Sequence, residues 1–299
     1  MFEKMSDWEI KGPALEAVKT QLREWLAEDI GSGDATTMAT VPAGHVSRGI
    51  IHAKQAGVLA GIPLARLVFE VIDPSLSFQP QAADGDRVER GTVLATVEGA
   101  THSILTGERL ALNLMQRLSG IATKTSEYVL AAGDRPARIV DTRKTTPGHR
   151  TLEKYAVRVG GGYNHRFGLY DAVMIKDNHI KAAGGITAAV EAAKARIPHT
   201  MKIEVEAESL AQAQEAVQAG AHIVMFDNMS TEAMTEAARV LRAAAPYVVL
   251  EASGGIVPSR VAEIAACGVD VISVGGLTHS FSALDISLDL NEIKKGASV

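Results

Sequence analysis

Five cationic side chains stand between residues 143 and 176 beside short apolar runs: Arg143, Lys144, His165, Arg166 and Lys176. The segment 141–181 contains eight Lys or Arg and four Asp or Glu, a local excess of four positive charges in a chain whose net charge is -5. Cations that are crowded together raise one another's electrostatic cost, and an anionic ligand removes that cost. Arginine binds planar carboxylates bidentately, whereas lysine supplies a point charge for phosphate oxygens. The pattern therefore predicts a site for a small polyanion.

Carboxylates and glycines follow the later apolar runs. Glu206 ends IEVE and Asp227 ends HIVMFD. Two such carboxylates can bind sugar hydroxyls, a divalent cation or a positive charge that develops at a sugar carbon. Salt bridges to the nearby lysines are an equally good interpretation. Glycines follow the last two runs, at 253–255 and 275–276, where backbone N–H groups can bind a phosphate.

Some of these residues also have a structural interpretation. A lone histidine such as His165 is more often structural, but the glycine-rich segment GGYNHRFG around it favours a functional one. Lys154, Arg158 and Lys181 fall on predicted helix surfaces and are expected to be solvated. Cys267, the single cysteine, lies in RVAEIAACG and is expected to be a small buried apolar residue instead of a catalytic thiol.

The elements that must position the site alternate between strand and helix. Ser209 and Gly220 are expected to bound one of the alanine-rich amphipathic helices, and Pro258 to begin another. Sequential β–α units favour a parallel sheet covered on both faces. Polar residues end every strand, which favours a barrel with one mouth over an open sheet with one crevice. Six strands indicate an open, incomplete α/β barrel, and the predicted strands lie in ARIVDTRK, DAVMIKDN, MKIEVEAE, HIVMFDN, YVVLEASGG and DVISVGG.

The first third of the chain has a different pattern of apolar residues. An amphipathic helix is predicted over residues 13–28, and an α/β sandwich follows with turns at Asp84-Gly85 and Arg90-Gly91. A helix over GERLALNLMQRLSG joins it to the barrel. The predicted domains are therefore an N-terminal sandwich over 1–112, joined by 280–299, and a catalytic barrel over 113–279.

Composition limits the class of protein. Hydrophobic residues make up 46% of the 299 residues, enough to bury a large core. With aromatic residues at 4% and an acidic balance, a nucleic-acid surface is not expected. No apolar run approaches a membrane span and the N-terminus has no apolar signal core, so no membrane association and a cytoplasmic location are expected.

Motifs in order along the chain resemble those of the quinolinate phosphoribosyltransferases, also called carboxylating nicotinate-nucleotide pyrophosphorylases, which are type II phosphoribosyltransferases. The likeness covers nearly the whole chain, and the long motif over 141–180 is highly specific. One departure is Gly276, where the family usually has alanine. The motifs that carry the resemblance are LAEDIGSGDATT, GERLALNLMQRLSGIAT, DTRKTTPGHR, KYAVRVGGGYNHRFGLYDAVMIKDNHI, IEVEAE, FDN, EASGGI and ISVGGLTHS.

The resemblance implies an activity and an assembly. Enzymes of this family convert quinolinate and phosphoribosyl pyrophosphate, with Mg²⁺, into nicotinate mononucleotide, carbon dioxide and pyrophosphate, a step of NAD biosynthesis. The fold implied is an N-terminal sandwich and an open α/β barrel. The assembly implied is a homodimer or a higher even oligomer, in which the sandwich of one subunit covers the barrel mouth of the partner and the active sites are shared.

It also implies roles for particular residues. Arg143, His165, Arg166 and Lys176 would clamp the quinolinate carboxylates, with Arg109 arriving from the neighbouring subunit. Lys144 would face the pyrophosphate. Glu206 and Asp227 would hold the ribose hydroxyls and the metal, and Asp177 would assist the metal through water. The catalytic set is then Lys144, Lys176, Glu206 and Asp227, and the 5-phosphate would bind Ser253, Gly254, Gly255, Gly275, Gly276 and His279.

Two other functions fit parts of the pattern. Lys176 at a strand end of a barrel could form a Schiff base, as in aldolases, although a depressed lysine pKa is needed for that. A transport-associated paralogue of the same fold is the alternative that is not an enzyme. Such relatives tend to lose the NHR and KDN elements, whereas both are intact here at 164–166 and 176–178.

Overall fold

The computed structural model describes residues 13–292. None of the helices in this range is long and apolar enough to cross a membrane. In chain order the helices and strands are α1 (Pro13–Ile30), α2 (Ala35–Thr40), β1 (Val46–Ala53), β2 (Gly57–Val58), α3 (Ile62–Ile72), β3 (Ser77–Pro80), β4 (Arg87–Val88), β5 (Val93–Ala100), α4 (Thr101–Ala132), β6 (Arg138–Val140), α5 (Arg150–Val159), β7 (Val173–Ile175), α6 (Asp177–Ala183), α7 (Ile186–Lys194), β8 (Ile203–Ala207), α8 (Leu210–Ala219), β9 (Ile223–Asp227), α9 (Thr231–Ala244), β10 (Val249–Ser253), α10 (Pro258–Ala266), β11 (Val271–Ser273), α11 (Gly276–His279) and β12 (Ile286–Glu292).

The chain divides into two compact units. One contains the residues up to Thr123 and those from Ser282 onward, and the other is Lys124–Phe281. The boundary between them falls within α4. The predicted domain division at residues 112/113 and 279/280 stays a prediction.

The first unit contains a four-stranded antiparallel sheet in the order β12, β1, β5, β3. Alternate residues of β1 are buried, as expected for a strand that presents one face to a core. The predicted turns are confirmed, since Gly85 and Gly91 have φ values of 91° and 90°, in the region that favours glycine. The predicted first helix is confirmed as α1, which buries Leu22 and Leu26.

The second unit contains all six predicted strands in one parallel sheet, in the order β6, β11, β10, β9, β8, β7. The first strand of this unit, β6, pairs with the last one, β11, as in a barrel. The two edges of the sheet are β6 and β7. The barrel is therefore open between them, as the sequence predicted. Ser209 caps α8 by accepting from the Gln212 N–H, and Gly220 ends that helix with φ 92°.

The core of the second unit contains short buried strands. The strands β8, β9 and β10 bury apolar side chains such as Val205, Phe226 and Leu250 completely. Burial of one such side chain stabilises a fold by about 1.5–3 kcal/mol. The predicted helix at Pro258 is confirmed as α10, and Cys267 just after it is buried and has no disulfide, as expected.

Candidate active site

The carboxyl ends of the six parallel strands surround a cavity of about 860 Å³ in the second unit. Side chains alternate along a strand, so residues two positions apart point to the same side. The cavity is accordingly lined by such pairs, for example Met225 with Asp227 and Glu251 with Ser253. Parallel pairing places neighbouring strand ends level with one another, since Asp227 pairs with Ser253. Residues far apart in the sequence therefore meet at one mouth.

Every predicted site residue of the second unit lines this cavity. Arg109 lies elsewhere: it is exposed on α4 in the first unit. The predicted residues that the structure brings together are Arg143, Lys144, His165, Arg166, Lys176, Asp177, Glu206, Asp227, Ser253, Gly254, Gly255, Gly275, Gly276 and His279.

Two guanidinium groups in the cavity, those of Arg143 and Arg166, form no ion pair with a carboxylate within residues 13–292. The side chain of Arg143 forms no hydrogen bond or ion pair in this range. Arg166 donates from Nη1 to the carbonyl oxygen of Ala172 at 2.9 Å and contacts Met174 Sδ at 3.5 Å. Burial, followed by the charge of Arg143, lowers the pKa of Arg166. The charges of Glu204 and Asp171 oppose this shift only in part. An anionic ligand would supply further counter-charge to the two guanidinium groups.

The chain segment before Arg166 explains how these cations reach the mouth. Tyr163 forms a parallel bridge with Val140 on the free edge of β6, where its N–H donates to the carbonyl oxygen of Ile139 at 2.8 Å. The segment thus runs beside β6 in the opening of the barrel. Its continuation carries His165 and Arg166 into the cavity.

A buried ion pair fixes this segment, and it contradicts one sequence prediction. Lys154 was expected to be solvated, but its side chain is fully buried and bonded to the buried carboxylate of Asp141. Asp141 also accepts from the His165 N–H at 2.9 Å and from Asn164 Nδ2 at 2.6 Å, and Lys154 Nζ donates to the carbonyl oxygen of His165 at 3.0 Å. The prediction was wrong because the helix surface that carries Lys154 faces this segment.

The two other predicted surface cations differ. Arg158 is only half-buried, lies over the ring of Tyr163 at 4.6 Å and donates to the carbonyl oxygen of Gly162 at 2.8 Å, so its predicted solvation is only partly correct. Lys181 is 73% exposed, as expected, and pairs with Asp177 at 2.9 Å. That pair holds the pKa of Asp177 below its usual value, chiefly through the hydrogen bond from Lys181.

The carboxylates predicted to bind the ribose and the metal lie on neighbouring strands. Glu206 is the next-to-last residue of β8 and forms an ion pair with Lys176, so the salt-bridge interpretation and the position at the mouth both hold. Asp227 ends β9 and accepts from Asn228 Nδ2 at 2.9 Å. Asn228 has a positive φ of 53°, which is uncommon outside glycine and lets the chain turn sharply after the strand.

Two buried glutamates were not predicted from the sequence. His165 Nε2 lies 3.3 Å from Glu204 Oε2 and 3.5 Å from Glu251 Oε2, and both glutamate side chains are at most 3% exposed. Period-2 alternation gives a signal for both, because Glu204 stands two residues before Glu206 and Glu251 two residues before Ser253. Both were missed because the predicted site included only residues at or after the strand ends.

The glycine loops after β10 and β11 bring backbone close to the cavity. Gly254 and Gly255 have φ values of 99° and 57°, and a Cβ on Gly254 would lie 2.2 Å from Asn228 Oδ1. A Cβ on Gly275 would lie 2.9 Å from Lys144 Cδ and 3.2 Å from His279 Nε2. The absence of side chains therefore leaves backbone N–H groups of these loops accessible beside Lys144.

An open parallel α/β barrel, a cation-lined mouth and two glycine loops at its strand ends define a barrel enzyme that handles phosphorylated substrates. The comparisons with known proteins specify the family. Residues 34–119 match the quinolinate phosphoribosyl transferase N-terminal domain, and residues 121–289 match the C-terminal domain of the same family. The chain belongs to the quinolinate phosphoribosyltransferase family, which confirms the resemblance seen in the sequence.

Similar proteins have consistent names. A probable nicotinate-nucleotide pyrophosphorylase (carboxylating) from Synechocystis is 48% identical over 269 residues, which cover 90% of this chain and 91% of that protein. Quinolinate phosphoribosyltransferase (decarboxylating) 1b from Nicotiana tabacum is 41% identical, covering 89% of this chain and 80% of that protein. The crystal structure of NadC from Streptococcus pyogenes superposes with a TM-score of 0.90 at 42% identity, covering 95% of this chain and 100% of that one. Neither the aldolase nor the transport alternative gains support from them.

Proposed function

We propose that this chain is a pentosyltransferase that transfers the phosphoribosyl group of phosphoribosyl pyrophosphate to quinolinate. The products are nicotinate mononucleotide, carbon dioxide and pyrophosphate, and the reaction belongs to NAD biosynthesis. The family membership supports this reaction, and one observation on the structure carries the assignment of the diacid. Arg143 and Arg166 lie together in the cavity, and neither forms an ion pair with a carboxylate among residues 13–292. A planar dicarboxylate matches two such forks.

The proposed clamp consists of Arg143, Arg166 and Lys176. The two arginines bind the carboxylates of quinolinate. Lys176, which pairs with Glu206 in this structure, binds a substrate carboxylate as well. The direct contact predicted for His165 stays a prediction, because both of its ring nitrogens contact protein atoms in this structure. The clamp orients the pyridine nitrogen towards the sugar carbon. Because the substrate is already ordered on binding, less entropy is lost on reaching the transition state.

The proposed sugar and phosphate contacts follow the strand ends. As pyrophosphate leaves, positive charge develops at the anomeric carbon, and the carboxylates of Glu206 and Asp227 stabilise it. Lys144, which has no hydrogen-bond partner for its side chain among the described residues, faces the departing pyrophosphate. The 5-phosphate binds the backbone N–H groups of the two glycine loops, with Ser253 and His279 beside them.

Mg²⁺ is the proposed cofactor, and the donor set of this cavity fits it. Glu206 and Asp227 offer hard carboxylate oxygens from adjacent strands, and Mg²⁺ typically binds one or two carboxylates together with waters and substrate phosphates. Asp177 also lines the cavity. Its carboxylate is 50% exposed and already pairs with Lys181, so we propose that it contacts the ion through water. When bound, the ion neutralises charge on the pyrophosphate group.

One assay tests the proposed function. Purified protein is incubated with quinolinate, phosphoribosyl pyrophosphate and Mg²⁺, with nicotinate in place of quinolinate as the comparison and EDTA as the test of the metal. We expect nicotinate mononucleotide and carbon dioxide from quinolinate only, and loss of activity with EDTA. Absence of the mononucleotide at all Mg²⁺ concentrations would contradict the proposal.

Two adjacent glycines provide a matched test of the phosphate loop. Gly275→Ala places a Cβ 2.9 Å from Lys144 Cδ, whereas the nearest atom to a Cβ on Gly276 is 4.0 Å away. We expect Gly275→Ala to raise KM for phosphoribosyl pyrophosphate about tenfold, equivalent to the loss of about one charge-assisted hydrogen bond. Gly276→Ala is expected to keep wild-type kinetics, because it adds a methyl group in open space. Steady-state kinetics compare the two, and an equal effect of both substitutions would contradict this geometry.

A homodimer with shared active sites is proposed as well, on the basis of Arg109. This residue is exposed on α4, so it is accessible to a neighbouring subunit. If each site combines Arg109 of one subunit with Arg143 of the other, mixing Arg109→Ala and Arg143→Ala chains should restore about a quarter of wild-type activity, because half of the dimers then contain one intact site. Activity of co-refolded chains measures this, and no rescue in demonstrated mixed dimers would contradict sharing. The cytoplasmic location stays a prediction.

A further inference from the structure

The side chain of Arg150 has no role in the mechanism above and does not line the cavity. It begins α5, is partly buried and forms no ion pair with a carboxylate among residues 13–292. Its guanidinium group instead donates to three uncharged oxygen atoms: Nε to Thr145 Oγ1 at 3.0 Å, Nη1 to the carbonyl oxygen of Phe167 at 3.0 Å and Nη2 to that of Arg143 at 3.3 Å. Because a guanidinium group is planar and rigid, these bonds hold two separate chain segments at a fixed separation.

These two segments carry the arginines of the proposed clamp. One acceptor is the carbonyl oxygen of Arg143 itself, and another belongs to Phe167, the residue directly after Arg166. Thr145 is part of the same turn as Arg143, since its N–H donates to the Arg143 carbonyl oxygen at 2.9 Å. Arg150 therefore bonds to the backbone that supports both cavity-lining guanidinium groups.

A second link between the segments lies on the amino-terminal side of the clamp arginines. Asp141 stands two residues before Arg143, and it accepts from the N–H of His165, the residue before Arg166, at 2.9 Å. Arg150 provides the link on the carboxyl-terminal side. Each clamp arginine thus stands between two cross-links, and loss of the Arg150 link leaves both segments without their cross-link on that side.

The separation of the two clamp arginines matters because quinolinate has two adjacent carboxylates on a rigid ring. Neither Arg143 nor Arg166 forms an ion pair with a carboxylate among residues 13–292, so no such pair fixes their separation. The backbone must fix it. If the two segments move independently, ordering both guanidinium groups around the diacid costs additional entropy, and affinity falls.

We infer that Arg150 is a positioning residue, which sets the separation of Arg143 and Arg166 and thereby the affinity for the diacid. This inference rests on the proposed function. Its effect is specific for quinolinate, because the neighbouring Lys144, proposed to face the pyrophosphate, has a separate support. The hydroxyl of Thr278 donates to the Lys144 carbonyl oxygen at 2.9 Å.

Arg150→Lys tests the inference, because lysine keeps the positive charge and loses the planar fork that reaches both segments. We expect KM for quinolinate to rise about 30-fold, as for the loss of one charge-assisted contact. KM for phosphoribosyl pyrophosphate should change less than about threefold, within the effect of one uncharged hydrogen bond. Steady-state kinetics with each substrate varied at saturation of the other measure both values, and circular dichroism checks that the variant is folded.

Arg242→Lys is the matched control. Arg242 also joins two segments, since it donates to the carbonyl oxygens of Val248 at 2.8 Å and Gly268 at 3.2 Å, and it pairs with Asp270. These residues precede β10 and β11, at the end of the strands opposite the cavity. We expect a lower thermal unfolding temperature and wild-type KM values for both substrates.

Thr145→Val removes only the acceptor of Arg150 Nε, and it carries the measurement if Arg150→Lys does not fold. KM for quinolinate should then rise about threefold. The inference is overturned by a wild-type KM for quinolinate in the variant that carries the measurement, by an equal rise for both substrates, or by the same selective rise in Arg242→Lys. Wild-type turnover would still support the proposed function in each case, whereas failure of the wild-type protein to form the mononucleotide would refute that function.

Discussion

Arg166→Ala is expected to lower kcat/KM for quinolinate by roughly 2–5 kcal/mol, or about 30- to 5000-fold, because it removes one partner of a desolvated, hydrogen-bonded charge pair. Arg143→Ala should fall in the same range, since the side chain of Arg143 has no protein partner among the described residues and is available to the substrate. Arg166→Lys should restore only part of the loss, because a lysine keeps the charge and not the planar fork. Steady-state kinetics with quinolinate as the varied substrate measure all three.

A surface arginine provides the control for these substitutions. Arg239 pairs with Glu236 on α9 and is 70% exposed, so Arg239→Ala should leave the kinetics unchanged. Normal kinetics in both Arg143→Ala and Arg166→Ala would refute the clamp. An equal loss in the Arg239 variant would show that any cation of the surface contributes.

Lys154→Met is expected to lower the free energy of unfolding by about 3–5 kcal/mol, because it leaves the buried carboxylate of Asp141 without its partner. Both side chains are fully buried. Burial raises the pKa of Asp141, and Lys154 opposes that shift through its charge and its hydrogen bond. Urea unfolding, followed by circular dichroism, measures the loss. Because this pair also fixes the segment with His165 and Arg166, turnover should fall in the same variant.

Two comparisons make this prediction specific. Lys181→Met removes an exposed lysine of the same segment and should change stability by less than about 1 kcal/mol. The double variant Asp141→Asn, Lys154→Met should be more stable than Lys154→Met alone, since no uncompensated charge remains. A stability of Lys154→Met equal to that of Lys181→Met would contradict the structural role of the pair.

Much of the fold was predictable because its signals are local. The six strands were found from short apolar runs, and the ends of α8 and α10 from Ser209, Gly220 and Pro258, because capping and turn preferences depend on a few adjacent residues. The polar residues at the strand ends were found for a related reason. The carboxyl ends of parallel strands in a barrel all lie at one mouth, so a polar residue at the end of a predicted strand is expected at that mouth.

The environment of each charge was not predictable in the same way. Lys154 carries the same charge as Lys181 and lies on a helix of the same segment, yet one is fully buried and the other is 73% exposed. The helix pattern of α5 gives no reason to bury Lys154. Its burial depends on Asp141, which stands thirteen residues earlier, directly after β6, and contacts it only in the folded chain.

By itself the sequence determined the alternation of strands and helices, the charged and glycine residues at the strand ends and the family, because periodicity, capping and motif order are properties of neighbouring residues. The tertiary structure alone decided that Asp141 and Lys154 form a buried pair, and that His165 contacts Glu204 and Glu251 instead of presenting a free nitrogen. The physical reason is that desolvation and Coulomb energy depend on distances between side chains on different strands. Those distances are set only when β6 pairs with β11 and the segment before Arg166 fills the open edge of the barrel.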